Sequence, residues 1–353
     1  MNLWKDILAI LSVILNGLPQ GLLALSFGFA SIPTAFAFLV GAAGCAVTGC
    51  VAPISFQAET ITLAGTIGDN LKERLSMIFY GGVIMALIGI FGLMGRITDF
   101  VGPVITSGMM AGVGIMLTKV AYDMSKKNKT VGAISIASGI ITYLFTKDLV
   151  YTIAVSVILS SIVYNVMNKG AVHPVIEREK IARQKISFSA KILRGAMGMV
   201  CLNIGANIAF GNITGQLAKQ SVNIDHLSVI SSLADMVSSF FGGGPVESII
   251  SATGGAPHAL IDGIAMMTLM AIILFAGLLP KIGRYIPTES IAGFLFVLGA
   301  IVTVPVNAAA ALTSTAANGT LIGGVTMTVT AITDPFIGMI AGLLLKLFLP
   351  IIG

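Results

Sequence analysis

Charged side chains are scarce in this sequence: Asp, Glu, Lys and Arg make up only 10% of its 353 residues. Hydrophobic residues make up 56%, and the mean hydropathy is +0.98. A soluble globular domain carries about 25% charged residues, so this composition excludes that class. It indicates a multi-pass membrane protein, which we expect to lie in the cell (inner) membrane.

Several signals of enzymes and of nucleic-acid-binding proteins are also missing. The three cysteines lack the spacing of a metal site, and the sequence contains no P-loop lysine motif for ATP-driven transport. The formal charge of +5 comes from Lys and Arg residues clustered between apolar segments, which is a topology signal. We therefore expect no enzyme activity, no cofactor, no metal site and no nucleic-acid partner.

Apolar segments fall into two sets of seven, separated by a polar stretch. The first set is predicted at about 6–30, 33–50, 54–68, 75–95, 101–122, 131–146 and 149–167. The second set is predicted at about 192–216, 226–241, 245–255, 259–280, 288–308, 311–331 and 334–351. In both sets the third segment is too short or too polar for a full span of about 20 residues.

A broken segment at the same place in each half is typical of a repeated transporter fold. Because each half has an odd number of segments, the two repeats must be inverted relative to each other in the membrane. We therefore predict an all-α protein with fourteen transmembrane segments in a 7+7 inverted repeat. Residues 1–168 form the first repeat, 169–190 a polar helix-plus-turn linker, and 191–353 the second repeat.

The orientation predicted from charge is unusual. Counted along these segments, most Lys and Arg residues fall on one side, including the cluster from Lys169 to Arg194. The positive-inside rule then places both termini outside the cytoplasm.

The break in the second half interrupts an apolar chain with Gly242, Gly243, Gly244 and Pro245, followed by Glu247. Glycines let the backbone approach a ligand, and proline favours the first position of a helix. We predict that a half-helix starts at Pro245, with amides that bind a polar or anionic group. Glu247 would lie in its first turn, either binding substrate or serving only its own helix.

The break in the first half runs from Pro53 to Thr60 and carries Phe56, Gln57 and Glu59. Glu59 is a candidate site residue, the alternative being a solvated glutamate in a loop. Asp235 lies among four serines within an apolar segment, so it is either a proton site or a structural hydrogen-bond hub.

Three asparagines, Asn203, Asn207 and Asn212, lie in the eighth segment, and the first two share a helical face. They are candidates for lining a cavity or for joining helices.

The stretch Ala234–Pro245, followed by Ser251–Gly255, resembles the nucleobase:cation symporters, which include uracil, xanthine and purine permeases. That family belongs to a superfamily that also holds the sulfate permeases. Asp235 matches an acid at the start of the family motif. The family's substrate-binding glutamate would fall at Ser251, whereas this chain has its acid at Glu247. The stretches Leu18–Gly21 and Gly95–Gly108 are more similar to the sulfate permeases.

The resemblance implies a secondary transporter that takes up a nucleobase with a coupling proton or sodium ion, by alternating access. A core of about 1–95 plus 191–280 would move against a gate of about 101–167 plus 287–351, and the gate helices would hold a homodimer. The expected substrate-binding residues are Phe56, Gln57, Glu59, Asn212, Gly244, Val246, Glu247, Ser248 and Ser251. The expected proton-coupling residues are Glu59, Asp235 and Glu247. The alternatives are an anion transporter of the sulfate-permease type, a channel, and a membrane scaffold that has lost transport.

Overall fold

The computed structural model describes residues 2–168 and 181–352, and helices make up most of both stretches. The first half contains α1 (Asn2–Ser26), α2 (Ser31–Thr48), β1 (Ile54–Ser55), α3 (Ala58–Ile67), α4 (Leu71–Ile90), α5 (Met94–Val101), α6 (Pro103–Ser125), α7 (Lys129–Thr146) and α8 (Leu149–Met167). The second half begins with α9 (Ala190–Ala218), α10 (Ile224–Phe240), β2 (Glu247–Ser248), a 3-10 helix (Ala252–Gly255), α11 (Ala259–Phe275) and α12 (Leu278–Gly283).

The rest of the second half is one long helical run followed by two helices. The run consists of a 3-10 turn (Thr288–Ile291), α13 (Ala292–Phe296), a π-helical stretch (Val297–Thr303) and α14 (Val304–Leu312). It is followed by α15 (Gly319–Ile332) and α16 (Pro335–Ile352).

Eight of the described helices are long and apolar enough to cross a membrane: α1, α2, α4, α6, α7, α8, α9 and the run Thr288–Leu312. Three shorter helices, α11, α15 and α16, are also apolar. The protein is therefore a multi-pass, mostly helical membrane protein. The fourteen-segment inverted repeat remains a prediction.

Many helix starts follow from local sequence. Five described helices begin after a residue whose side chain accepts a hydrogen bond from a first-turn amide, namely Asn70, Asn128, Asp148, Ser189 and Asn223. Such caps satisfy amides that have no partner inside the helix. They explain why the starts of α4, α7, α8, α9 and α10 lie within a few residues of the predicted boundaries.

Two short helices, α5 and α12, were not predicted. The segment predicted at 259–280 is divided because Gly277 adopts a positive φ of 62°, which ends α11 and lets α12 begin.

The linker is described only from residue 181 onward, and residues 181–189 form no helix. The Gln184 amide donates to the Phe240 carbonyl at 2.8 Å, and the Ser187 amide donates to Ser76 Oγ at 3.0 Å. This part of the linker therefore joins the C-terminal end of α10 to α4. The remainder of the predicted helix-plus-turn lies outside the described residues.

Helices from both halves pack together in two groups. In one group α4 contacts α9 and α10, while α2 contacts α10 and α11. In the other, α6 contacts α14 and α15, while α7 contacts α8 and α13. Glycines allow close approach at these contacts: a Cβ on Gly82 would lie 2.9 Å from the Ser232 carbonyl oxygen.

Candidate functional site at the paired strands

The two broken segments meet in a two-stranded antiparallel sheet. Ile54 of β1 pairs with Ser248 of β2, and Ser55 pairs with Glu247. The Ile249 amide also donates to the Pro53 carbonyl at 3.4 Å. Non-helical backbone at membrane depth requires partners for its polar groups, and each broken segment supplies them to the other. The all-α prediction is therefore corrected by one small sheet.

The sequence at Gly243 explains why the chain bends here. A Cβ on Gly243 would lie 2.6 Å from the Thr34 amide nitrogen, so no larger residue fits. The next residue, Gly244, is held on both sides: its amide donates to Thr34 Oγ1 at 2.9 Å, and its carbonyl accepts from Ser238 Oγ at 2.6 Å. The backbone of Gly244 is thus bound by protein groups.

The half-helix predicted at Pro245 is wrong, since the chain continues as β2 and forms only a 3-10 turn later, at Ala252–Gly255. Pairing with β1 holds the backbone extended at this point. The idea that Glu247 serves its own helix is therefore also wrong. The Val246 amide, which was expected to face a ligand, donates to Asp235 Oδ1 at 2.7 Å.

Glu247 is the buried acid of the paired strands, with 1% of its surface exposed. Asn203 Nδ2 of α9 donates to its Oε1. Its Oε2 has no hydrogen-bond partner among the described residues, and neither does Asn203 Oδ1. No described Lys or Arg forms a salt bridge with Glu247, Asp235 or Glu59. The site therefore has negative groups and open acceptors but no cation of its own.

Asp235 of α10 lies beside Glu247, so the two carboxyl groups interact directly. Asp235 is 2% exposed. Its bond to the Val246 amide joins α10 to the second broken segment. Its role as a proton site remains a prediction.

The asparagines of α9 differ in position. Asn207 Nδ2 donates to Ser228 Oγ at 3.1 Å, and its Oδ1 accepts from Ser248 Oγ at 2.7 Å, so it joins α9, α10 and β2. Asn212 is exposed, and five residues of helix place it about 140° around α9 from Asn207. The structure does not bring Asn212 to the other candidates.

Ser251, which follows β2, is joined to Thr214 of α9, and both are buried. The Ser251 amide donates to Thr214 Oγ1 at 3.2 Å, and Thr214 Oγ1 donates to the Ile249 carbonyl at 3.0 Å. The sequence reasoning missed Thr214. Its spacing of seven residues from Asn207 places both on one helical face, and that was the available signal.

The first broken segment contributes Ser55, Phe56, Gln57 and Glu59, all buried. Ser55 Oγ and Gln57 Nε2 have no hydrogen-bond partner among the described residues, while Gln57 Oε1 accepts from Thr60 Oγ1 at 2.8 Å. Glu59 lies in the first turn of α3, and its carboxyl group contacts its own backbone amide. The alternative of a solvated glutamate in a loop is therefore wrong.

Two residues separate helix α3 from β1, and the helix has no side-chain cap, because its N-cap residue Gln57 makes no bond to the first-turn amides. An uncapped helix start carries a partial positive charge and can bind an anion. Among the described residues there is no group of three or more His, Cys, Asp or Glu side chains suited to a metal ion.

Comparisons with known proteins identify the fold. No protein-family model and no curated protein sequence matches this chain. The transmembrane domain of BicA, a bicarbonate transporter of a cyanobacterium, is similar in structure with a TM-score of 0.74 at 13% identity, over 97% of each chain. The two chains therefore share a fold.

Two structures of SLC26A9 are also similar, both at 13% identity and over 99% of this chain. One has a TM-score of 0.74 over 66% of its own length. The other, from mouse, is an anion transporter in the inward-facing state, with a TM-score of 0.69 over 68% of its length. This chain thus spans about two thirds of SLC26A9. The likeness shows that this chain shares its fold with these anion-transporter structures.

Proposed function

We propose that this protein is a secondary transporter that moves a small anion together with a cation. One observation carries the proposal. Where the two broken segments pair, the side chain of Glu247 is 1% exposed, and among the described residues one of its oxygens has no hydrogen-bond partner and no Lys or Arg forms a salt bridge with it. A buried ionisable group without a counter-ion is a functional site by default in a membrane protein.

The anion would bind at the start of α3. This helix start is uncapped, and Gln57 Nε2 offers a further donor without a partner. Amide donors and a positive helix end suit an oxyanion. The Glu59 carboxyl contacts its own amide in that turn, so it must be neutralised or displaced when an anion arrives.

The cation would bind at Glu247 and Asp235. Two buried carboxylates side by side repel each other, and a proton or sodium ion between them removes that repulsion. The same cation removes the charge that repels an incoming anion. Each ligand therefore raises the affinity for the other, which is the thermodynamic basis of coupling.

Movement of a core against a gate would expose the site alternately to the two sides. The observed packing supports this division, since the most extensive contacts of α4 and α2 are with α9, α10 and α11, and those of α6 are with α14 and α15, whereas α6 and α9 meet only in a small contact. We propose that residues of about 1–95 plus 191–280 move against about 101–167 plus 287–351. A homodimer through the gate helices and a place in the cell (inner) membrane are parts of the same proposal.

Uptake by purified protein in proteoliposomes tests the proposal. Labelled bicarbonate, sulfate, uracil and xanthine are compared with and without an inward proton or sodium gradient. We expect saturable uptake of an anion that stops when the gradient is collapsed. Uptake of a nucleobase but of no anion would return the function to the nucleobase symporters, and unsaturable uptake would indicate a channel.

A further inference from the structure

Three titratable side chains meet at the starts of α1 and α11, apart from the paired strands. His258 Nδ1 lies 2.9 Å from Asp6 Oδ2. The Asp262 amide donates to the His258 carbonyl at 2.9 Å, which places the carboxyl group of Asp262 next to that of Asp6. We call Asp6 and Asp262 the acid pair.

Both members of the acid pair are buried, with 5% of Asp6 and 3% of Asp262 exposed. Asp6 Oδ1 and Asp262 Oδ2 have no hydrogen-bond partner among the described residues. The only described cationic group within salt-bridge distance is His258, which reaches Asp6 Oδ2. Two desolvated carboxylates in contact cannot both stay ionised at low cost, because they repel each other and each has an unsatisfied acceptor.

One shared proton resolves both problems. It converts two orphan acceptors into a donor and an acceptor, and a hydrogen bond from a carboxylic acid to a carboxylate is short and strong. The remaining negative charge lies near the starts of α1 and α11, where helix dipoles favour it. We propose that Asp6 and Asp262 bind one proton between them and form a second proton-binding site of this protein.

This site is separate from the paired strands. A Cβ on Gly17 of α1 would lie 3.0 Å from Ser55 Oγ, so Gly17 marks the level of the sheet. Asp6 lies eleven residues earlier, which is about 16 Å along the helix. The chain that leaves β2 ends at His258, next to the acid pair. The acid pair therefore lies near the N-terminal ends of α1 and α11, where the second broken segment ends.

The test measures the melting temperature, Tm, of the purified full chain in detergent from about pH 5 to about pH 9. His258→Gln serves as the background, because it removes the titration of the imidazole. In this background Tm should fall as the pH rises, since the unfolded chain releases the shared proton and ionises each aspartate at about pH 3.9. Adding Asp262→Asn supplies a permanent donor to Asp6. It should flatten the pH dependence and raise Tm at high pH by at least about 2 °C.

Asp225→Asn is the matched control, because Asp225 is also a first-turn acid but accepts a bond from the Met94 amide at 3.2 Å. It should leave the pH dependence unchanged. Infrared difference spectra between low and high pH give a second readout. The band of a protonated carboxyl group should be lost at high pH in the native chain. The band of the shared proton should be missing from the spectra of both Asp262→Asn and Asp6→Asn. The test therefore works if either one of these two variants folds.

Equal pH dependence of Tm with and without Asp262→Asn would overturn the proposal, as would an unchanged infrared band in the variants. Sodium is tested separately by replacing it with choline. If sodium stabilises the native chain but not Asp262→Asn, the acid pair holds a sodium ion and the proton assignment is wrong. These readouts do not require transport, so their failure is distinct from failure of the proposed anion transport.

Discussion

The two broken segments pair with each other but are built differently. The first continues from β1 into the ten-residue helix α3, and the carboxyl group of its acid, Glu59, lies by its own backbone amide. The second continues from β2 into a four-residue 3-10 turn, and its acid, Glu247, is bound by Asn203 of α9 beside Asp235 of α10. One segment offers a helix start, and the other offers a buried acid in a polar network.

This difference indicates a division of roles. The uncapped start of α3 suits an anion, whereas the acids of the second segment suit a cation. Substitutions in the second segment should therefore affect coupling, and substitutions in the first should affect anion affinity. Four experiments can break or sharpen this contrast.

The largest effect is expected for Glu247→Gln. The amide is close in shape to a protonated glutamate but cannot release a proton, so gradient-driven uptake should fall at least about tenfold, equivalent to about 1.4 kcal/mol. Anion binding to the solubilised variant should persist and be independent of pH. Uptake that still follows the gradient would place the coupling group elsewhere.

Asn207→Ala tests the network that supports the second segment. It leaves Ser228 and Ser248 without a buried partner, so the free energy of unfolding should fall by about 1–3 kcal/mol. Asn212→Ala is the control on the same helix, and its effect should stay within about 0.5 kcal/mol because the side chain is exposed. Thermal unfolding in detergent measures both. Equal losses would mean that α9 is not oriented as described.

Glu59→Gln tests the first segment. It removes a negative charge from a helix start, where a charge interacts with the helix by about 0.3–1 kcal/mol. Anion affinity should therefore rise about two- to fivefold, while the gradient dependence of uptake stays as in the native chain. Direct binding measurements report the affinity. Loss of gradient dependence would make Glu59 a coupling residue and remove the contrast.

The smallest effect is expected for substitutions that remove the contacts at the ends of the two broken segments. The second ends at His258, whose pKa is raised by its hydrogen bond to Asp6, with a smaller contribution from the charge of Asp262. Because this pKa is raised, the contact stabilises the folded chain fully below the ordinary value of about 6.5. That contribution is lost as the pH rises through the raised pKa. The Tm difference between the native chain and His258→Gln should therefore shrink with rising pH.

The first segment ends at Gly68, whose carbonyl accepts from Arg74 Nε at 3.0 Å. A guanidinium group keeps its charge across this range, so the Tm difference for Arg74→Gln should not change with pH. A pH-dependent Arg74 effect, or a constant His258 effect, would contradict this part of the contrast.

Much of the helical order was predictable because each helix carries its own signals. The segment predicted at 149–167 is α8, Leu149–Met167, since an apolar run follows the capping residue Asp148. The positions of both breaks were predictable from proline and glycine. These signals are local, so no knowledge of the rest of the chain was needed.

The conformation at Glu247 was not predictable in the same way. Proline after three glycines favours a helix start, but pairing with β1 and bonds to Thr34 impose an extended chain. The roles of Thr34 and Thr214 also depend on partners far away in sequence. The motif around Asp235 resembled the nucleobase symporters, whereas the fold is similar to bicarbonate and anion transporters.

The pairing of Ile54 with Ser248 also has a consequence for biosynthesis. Strand β1 leaves the ribosome long before β2, and α9 and α10 must be made between them. Until then Ser55 and Gln57 have no second strand beside them, and closing so long a loop is slow. The site is thus completed late in membrane insertion, and a chain that stops before Glu247 holds only the first strand of the sheet.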